Sequence, residues 1–413
     1  MREETRRWIA ADKRHAWHPF TAQGEWTDPG HEPLVIVRGE GPWLWDSEGR
    51  RYLDGNSSIW TNIHGHAHPA INAAITAQLD AIAHSSYLGF ANPRASELAG
   101  RLCGFFPDGT LERVFFSDDG STAVEVAMKM SLQFRMQTGE PERTRFAAFV
   151  NGYHGDTMGA AALGGVDRFF ERFRRFGPGV DFVETVAQLD PANLNAVVIE
   201  PLIQGVNEMR PWPDGMLAEL RDWCDRHDVL LILDEVMTGF GRTGTMFACQ
   251  QEEVIPDFLC LAKGLSGGYL PLGATLTTGR IYDAFLGGPE QAFYYGHSFT
   301  ANPLACAAAL ASLGLFESEQ TLERLPAKVE HLGRLLADLA RDHEEVVEVR
   351  QRGLITGIEL REGLGLSVCL KAREHGLLTR PIRDTVVLMP PLCVGMGELE
   401  LAVGAIRKAL AEA

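Results

Sequence analysis

Short apolar runs that end abruptly in a charge recur through the middle of the chain. Val229-Leu230-Leu231-Ile232-Leu233 runs into Asp234-Glu235, Phe258-Leu259-Cys260-Leu261-Ala262 into Lys263, and Ala196-Val197-Val198-Ile199 into Glu200. Runs of this length without polar alternation suit strands covered on both faces of a parallel sheet. From 60 to 310 they alternate with helical patterns, which predicts an α/β fold built on a doubly wound sheet. The flanks read differently. Residues 34–54 look like short strands with a turn at Ser47-Glu48-Gly49, and 321–413 mix helices with runs such as Val386-Val387-Leu388-Met389. The expected organisation is a large, mostly parallel domain over 60–310 and a smaller α+β domain in which 1–59 packs together with 311–413.

In open α/β sheets ligands bind in the crevice beyond the carboxyl ends of the strands, so an acid at one strand end and a lysine at the next point into one site. That pairing suits pyridoxal 5'-phosphate. The Lys263 amine carries the aldehyde as a Schiff base, and the Asp234 carboxylate keeps the pyridine nitrogen protonated so that the ring accepts electrons. Glu200, at a third strand end, is placed to hydrogen-bond or orient the acid that serves the cofactor, or is simply a solvated strand end before Pro201.

A phosphate needs its own donors. Val114-Phe115-Phe116 reads as a strand, Asp118 to Thr122 as a turn and Ala123 to Met136 as a helix. The helix N-terminus offers unpaired N–H groups, Gly120 permits close approach, and the Ser121 and Thr122 hydroxyls can donate. A plain N-cap reads equally well in isolation; beside a Schiff-base lysine the phosphate reading is the better one. The loop Asn151-Gly152-Tyr153-His154-Gly155-Asp156 follows the run Phe146 to Val150 and reaches the same edge, where the Tyr153 ring stacks on a flat pyridine or merely packs a tight turn.

Two patterns invite other chemistry. Gly239-Phe240-Gly241-Arg242-Thr243-Gly244 fits Gly-x-Gly-x-x-Gly, but it starts several residues past the strand end and no helical pattern follows, so it reads as a glycine-rich loop near the site rather than a dinucleotide site. His64, His66 and His68 alternate before Pro69 without an acid or cysteine at ligand spacing, which favours a turn and helix start over zinc.

Composition narrows the class further. The 413 residues are 45% hydrophobic and 23% charged, ordinary for a soluble globular protein. A net charge of −17 disfavours nucleic acid and anionic membrane as partners. Seven cysteines without a Cys-x-x-Cys indicate reduced thiols. With no membrane-length apolar run and a charged Met1 to Arg14 lacking a signal core, the expected location is cytoplasmic.

Asp234, Glu235, the Gly239–Gly244 pattern and the Lys263 segment together resemble the class III, fold type I aminotransferases, over nearly the whole chain. Trp17-His18-Pro19-Phe20-Thr21, Asp54-Gly55-Asn56-Ser57-Ser58-Ile59-Trp60, Asn302-Pro303-Leu304-Ala305-Cys306-Ala307 and Arg380-Pro381 with Met389-Pro390-Pro391 are similar to the biotin-pathway branch of that family. Its members move an amine to 8-amino-7-oxononanoate, usually from S-adenosylmethionine. The resemblance implies roles: Lys263, Asp234 and Tyr153 in catalysis; Gly120 and Ser121 at the phosphate, joined by Ser298 from a partner subunit; Trp60, Tyr153, Gly296 and Arg380 around the substrate; no metal. It also implies a homodimer with shared sites and ping-pong kinetics.

Three departures bear on the donor. S-adenosylmethionine-using members carry Tyr at Phe20, Trp at Ile59 and Tyr at Val387, and lysine-using members also lack some of these. S-adenosylmethionine is the expected donor and lysine the alternative. An ω-amino acid or diamine aminotransferase would share every cofactor residue and differ around Trp17, Trp60 and Arg380.

Overall fold

The computed structural model describes all 413 residues. Its central sheet has seven strands: β1 Leu111–Ser117, β2 Arg145–Phe149, β3 Val180–Val183, β4 Leu194–Ile199, β5 Leu230–Asp234, β6 Phe258–Leu261 and β7 Gly273–Thr278. They lie in the order β1-β7-β6-β5-β4-β2-β3. β7 runs antiparallel to both neighbours, and the other pairs are parallel.

The unbroken apolar runs have a direct cause. Alternate side chains point to opposite faces of a strand, and both faces here are covered. Leu231, Leu233, Val197, Leu259 and Leu261 enter one core, while Leu230, Ile232, Val198, Phe258 and Cys260 enter the other. Each fully buried Leu or Ile contributes about 1.5–3 kcal/mol of transfer free energy, so a polar residue on either face would be costly.

The two flanks meet in one small sheet. Ile36–Glu40, Trp43–Asp46 and Arg51–Asp54 form an antiparallel meander, and Leu377–Leu378 pairs parallel to the last strand, Leu377 opposite Leu53. The turn between the second and third strands is built by Asp46, whose Oδ1 accepts from the Glu48 and Arg50 N–H groups, with Gly49 at φ +89°. A second antiparallel sheet orders Val346–Arg352, Ile355–Leu360, Thr385–Leu388 and Pro381–Ile382. The Pro303–Ser318 helix, capped by Asn302, runs across residue 310 and packs on the Pro69–Ala81 helix through Ala308, Leu315 and Ile71. No helix is long and apolar enough to cross a membrane.

Candidate active site

β4, β5 and β6 are neighbours, and their register sets Leu233 beside Ile199 and Asp234 beside Cys260. The charges that end the three runs therefore gather at one sheet edge. Glu200, Asp234 and Lys263 all line a cavity of about 960 Å³. Tyr153, Gly120, Ser121, Trp60 and Arg380 line it as well.

Lys263 opens a single turn of 3-10 helix, Lys263–Ser266, with its own φ at +43°. A left-handed conformation is costly for a side-chain-bearing residue and recurs at functional positions. Its Nζ has no hydrogen-bonding partner in the chain and lies 4.7 Å from the Trp60 ring centroid. Burial pushes its amine down to about 8, against the opposing pull of Asp234 and Glu200.

Asp234 is held at both oxygens. Oδ2 is 2.8 Å from His154 Nδ1, and Oδ1 accepts from the Val236 N–H at 3.1 Å. The orienting partner is thus a buried imidazole, and of the two readings open for Glu200 the orienting one does not hold. Glu200 instead accepts from the Tyr153 N–H at 3.1 Å and the Gly205 N–H at 2.9 Å, tying the tyrosine loop to the sheet. Its full burial pushes its carboxyl up to about 7, with the His154 charge opposing and Asp234 reinforcing. Glu235 points the other way and accepts from the Ala248 and Cys249 N–H groups. His154 sat inside a motif already singled out, and its place directly after the candidate stacking tyrosine was the available signal.

Tyr153 donates its hydroxyl to Asp156 at 2.5 Å, and its ring lies 5.7 Å from that of Phe170. The phosphate-cradle segment starts a helix at Gly120, and its first two N–H groups, of Gly120 and Ser121, have no acceptor in the chain. A Cβ on Gly120 would sit 2.6 Å from Val236 Cγ1, so any larger residue would have to push the Val236 side chain aside. Ser121 Oγ accepts from the Asp156 N–H and keeps its own proton free. Thr122 departs from expectation: its hydroxyl is bound up with Asp119 in the helix cap and does not line the cavity.

Trp60 ends a four-residue left-handed turn, Ser57 to Trp60, with φ between +46° and +67°. Its Nε1 donates to Asn56 Oδ1 at 2.8 Å. Arg242, from the glycine-rich pattern, lies beneath this turn. It donates to the carbonyls of Asn62, Trp60 and Pro390 and to Ser57 Oγ. No residue of Gly239–Gly244 lines the cavity, so the loop acts from behind the wall.

Phe20, Ile59 and Val387 all line the cavity, Val387 fully buried beside Trp60 and Met237. Arg380 is exposed on the cavity wall and unpaired. Gly296 and Ser298 are exposed and line no part of the cavity formed by their own chain. Of the three alternating histidines, His66 bonds Asn62 and Asp54, His68 caps the Pro69–Ala81 helix, and His64 packs against Phe316.

The wall fits pyridoxal phosphate on three counts: an unpartnered lysine amine of lowered basicity, a carboxylate fixed by an imidazole, and two free N–H groups at a helix start. The model of the aminotransferase class-III family matches residues 26–410. The adenosylmethionine-8-amino-7-oxononanoate aminotransferase of Geobacter sulfurreducens is 45% identical, covering 97% of this chain and 96% of the relative. The crystal structure of the enzyme of that name from Methanocaldococcus jannaschii superposes with a TM-score of 0.94 at 38% identity, over 99% of both chains. An amine transaminase from an uncultivated Pseudomonas species, solved in its PLP-bound form, gives 0.90 at 35% identity, over 96% of this chain and 98% of the other. The chain belongs to the class-III aminotransferases.

Proposed function

We propose that the protein aminates 8-amino-7-oxononanoate to 7,8-diaminononanoate in biotin biosynthesis, in the cytoplasm, with pyridoxal phosphate as cofactor and S-adenosylmethionine as donor. The observation that carries the reading is the convergence of Lys263, Asp234 and the free N–H groups of Gly120 and Ser121 on one cavity, in a chain 45% identical over nearly its full length to an enzyme of that name. Pyridoxal phosphate supplies an aldehyde that takes up an amine and a ring that accepts the electron pair released at the reacting carbon.

With pyridoxal phosphate bound, Lys263 would hold its aldehyde and its Nζ would serve as the base and acid at the reacting carbon, a task its lowered basicity suits. Asp234 holds a proton on the pyridine nitrogen, with His154 fixing the carboxylate's direction. Tyr153 would stack on the ring and Gly120 and Ser121 would hold the phosphate, while Glu200 secures the tyrosine's backbone. Trp60 walls the substrate side, and Arg380 offers a two-pronged partner for the acceptor's carboxylate.

Ser298 and Gly296 serve the site of a second copy in a homodimer. Their exposure, beside Tyr294 and Phe299 at 81% and 59% exposed, supports a surface that a partner covers. The division into 60–310 and the combined 1–59 and 311–413 is kept, with the Pro303–Ser318 helix joining the two.

The deciding experiment mixes the yellow holoenzyme with S-adenosylmethionine or lysine and follows loss of the cofactor's absorbance, then adds 8-amino-7-oxononanoate. Conversion by S-adenosylmethionine and recovery by the acceptor is the expected result. Conversion by lysine alone replaces the donor and leaves the acceptor standing. Failure of the acceptor, with ready turnover of simple diamines, moves the protein to the amine transaminases, whose fold it equally shares.

A further inference from the structure

Two guanidinium groups on the cavity wall have no partner within the chain: Arg380 and Arg168. The third arginine there, Arg383, is engaged by Glu208 at 3.2 Å. The wall's carboxylates are committed elsewhere. Asp118 pairs with His297, Asp119 caps its helix, and Glu200 and Asp234 hold the tyrosine loop and His154. Asp167, next to Arg168 in sequence, is taken by Arg174 at 3.0 Å. The local helix does not account for Arg168 either, because a cation in the first turn of Asp167–Arg174 opposes the helix dipole.

The two free arginines come from different walls. The helix bearing Arg168 packs Phe170 against Tyr153, whereas Ile382 and Val387, on the strands that follow Arg380, pack beside Trp60. Ping-pong transfer brings two substrates into this pocket in turn, and their carboxylates fall in different places. The acceptor carries its carboxylate at the far end of the chain from the keto carbon. An amino-acid donor that gives its α-amine carries it on the reacting carbon. One fixed arginine does not meet both positions.

We propose that Arg168 binds the carboxylate of the amino-acid donor while Arg380 binds that of the acceptor, so that one pocket reads two carboxylates at two separate points. The inference rests on the proposed reaction and extends it to donor recognition.

The test uses the holoenzyme with Arg168→Gln and Arg168→Lys. Donor half-reactions are followed with S-adenosylmethionine against its decarboxylated form and with lysine against 1,5-diaminopentane, and the acceptor half-reaction is followed separately. Arg168→Gln is expected to raise the half-saturating concentration of the carboxylated donor about tenfold, equivalent to about 1.4 kcal/mol. Its limiting rate, the decarboxylated donor and the acceptor stay unchanged, and Arg168→Lys recovers part of the loss. An equal effect on both members of a donor pair, an equal shift for the acceptor, or no shift overturns the proposal. A wild-type enzyme that ignores 8-amino-7-oxononanoate overturns the proposed reaction instead, and the donor ratio still decides the role of Arg168.

Discussion

The basicity of Lys263 gives a prediction with a definite pH. Its amine is lowered from 10.5 to about 8, chiefly by burial. At about 1.4 kcal/mol per pH unit, that difference is roughly 3 kcal/mol of disfavoured charge. Only the neutral amine attacks an aldehyde. The protein stripped of cofactor should therefore retake pyridoxal phosphate at a rate that climbs about tenfold per pH unit below 8 and levels off above it. The same proton links to stability. Below 8 the folded chain holds a charge it disfavours; between about 8 and 10.5 the unfolded chain still binds the proton that the folded chain has lost. The stripped protein should therefore gain up to about 3 kcal/mol from this group as the pH rises through that window. Trp60→Leu removes the ring 4.7 Å from Nζ. Cation–π support of about 0.5–2 kcal/mol then disappears, and the levelling-off point should move lower by about 0.4–1.5 units. Stopped-flow absorbance at a series of pH values reads the uptake rate and its shift, and chemical denaturation of the stripped protein over the same pH series reads the stability. A rate that keeps climbing to pH 10 would refute the argument, since it would leave Lys263 as basic as a lysine in water.

Asp234→Asn should cripple turnover while leaving thermal unfolding of the stripped protein within a few degrees of wild type, because a neutral amide cannot hold the pyridine proton; near-normal turnover would remove Asp234 from its role. Arg380→Ala should weaken the acceptor by about 1.5–3 kcal/mol, the range for a hydrogen-bonded charge, and spare the decarboxylated donor; unchanged acceptor affinity would leave Arg380 a surface charge. Arg242→Ala should cost roughly 3 kcal/mol or more in stability, since it strips donors from three buried carbonyls, and chemical denaturation measures the loss directly.

The sheet and its charged edge were legible because burial on both faces leaves a strong mark on the sequence. Asp234 and Lys263 are conspicuous since a charge directly after five apolar residues has few structural excuses. Relations across the chain were less visible. His154 and Asp234 are 80 positions apart, and only the adjacency of β2, β4 and β5 makes them partners. Glu200 reads from the sequence either as an orienting carboxyl or as a solvated strand end, and it is neither, because a strand-end position fixes where a side chain starts, not which of several nearby N–H groups it answers. Thr122 was misread for a related reason: a hydroxyl at the third helical position serves the cap as readily as a ligand. Arg242 sits inside a glycine pattern whose reading as a loop near the site gave its one long side chain no role.

The left-handed turn at Ser57 to Trp60 was invisible for a further reason. It contains no glycine, although left-handed helical geometry costs roughly 1–2 kcal/mol for each residue with a side chain, or roughly 4–8 kcal/mol over four. Local preference cannot hold such a turn; its surroundings must. Ser57 Oγ donates to the Met389 carbonyl at 2.6 Å, Ser58 bonds Asp54 through both its N–H and its hydroxyl, and Arg242 joins the turn to Asn62 and Pro390. These bonds draw on three separate stretches of chain, so the turn forms only when the small sheet, the 389–390 segment and the Arg242 loop are all docked. The strain falls where Ile59 and Trp60 enter the cavity and where the Trp60 ring faces Lys263. Folding of the whole molecule is thereby coupled to the placement of one aromatic wall, and the glycine-rich loop contributes by bringing an arginine under that wall rather than by touching a ligand.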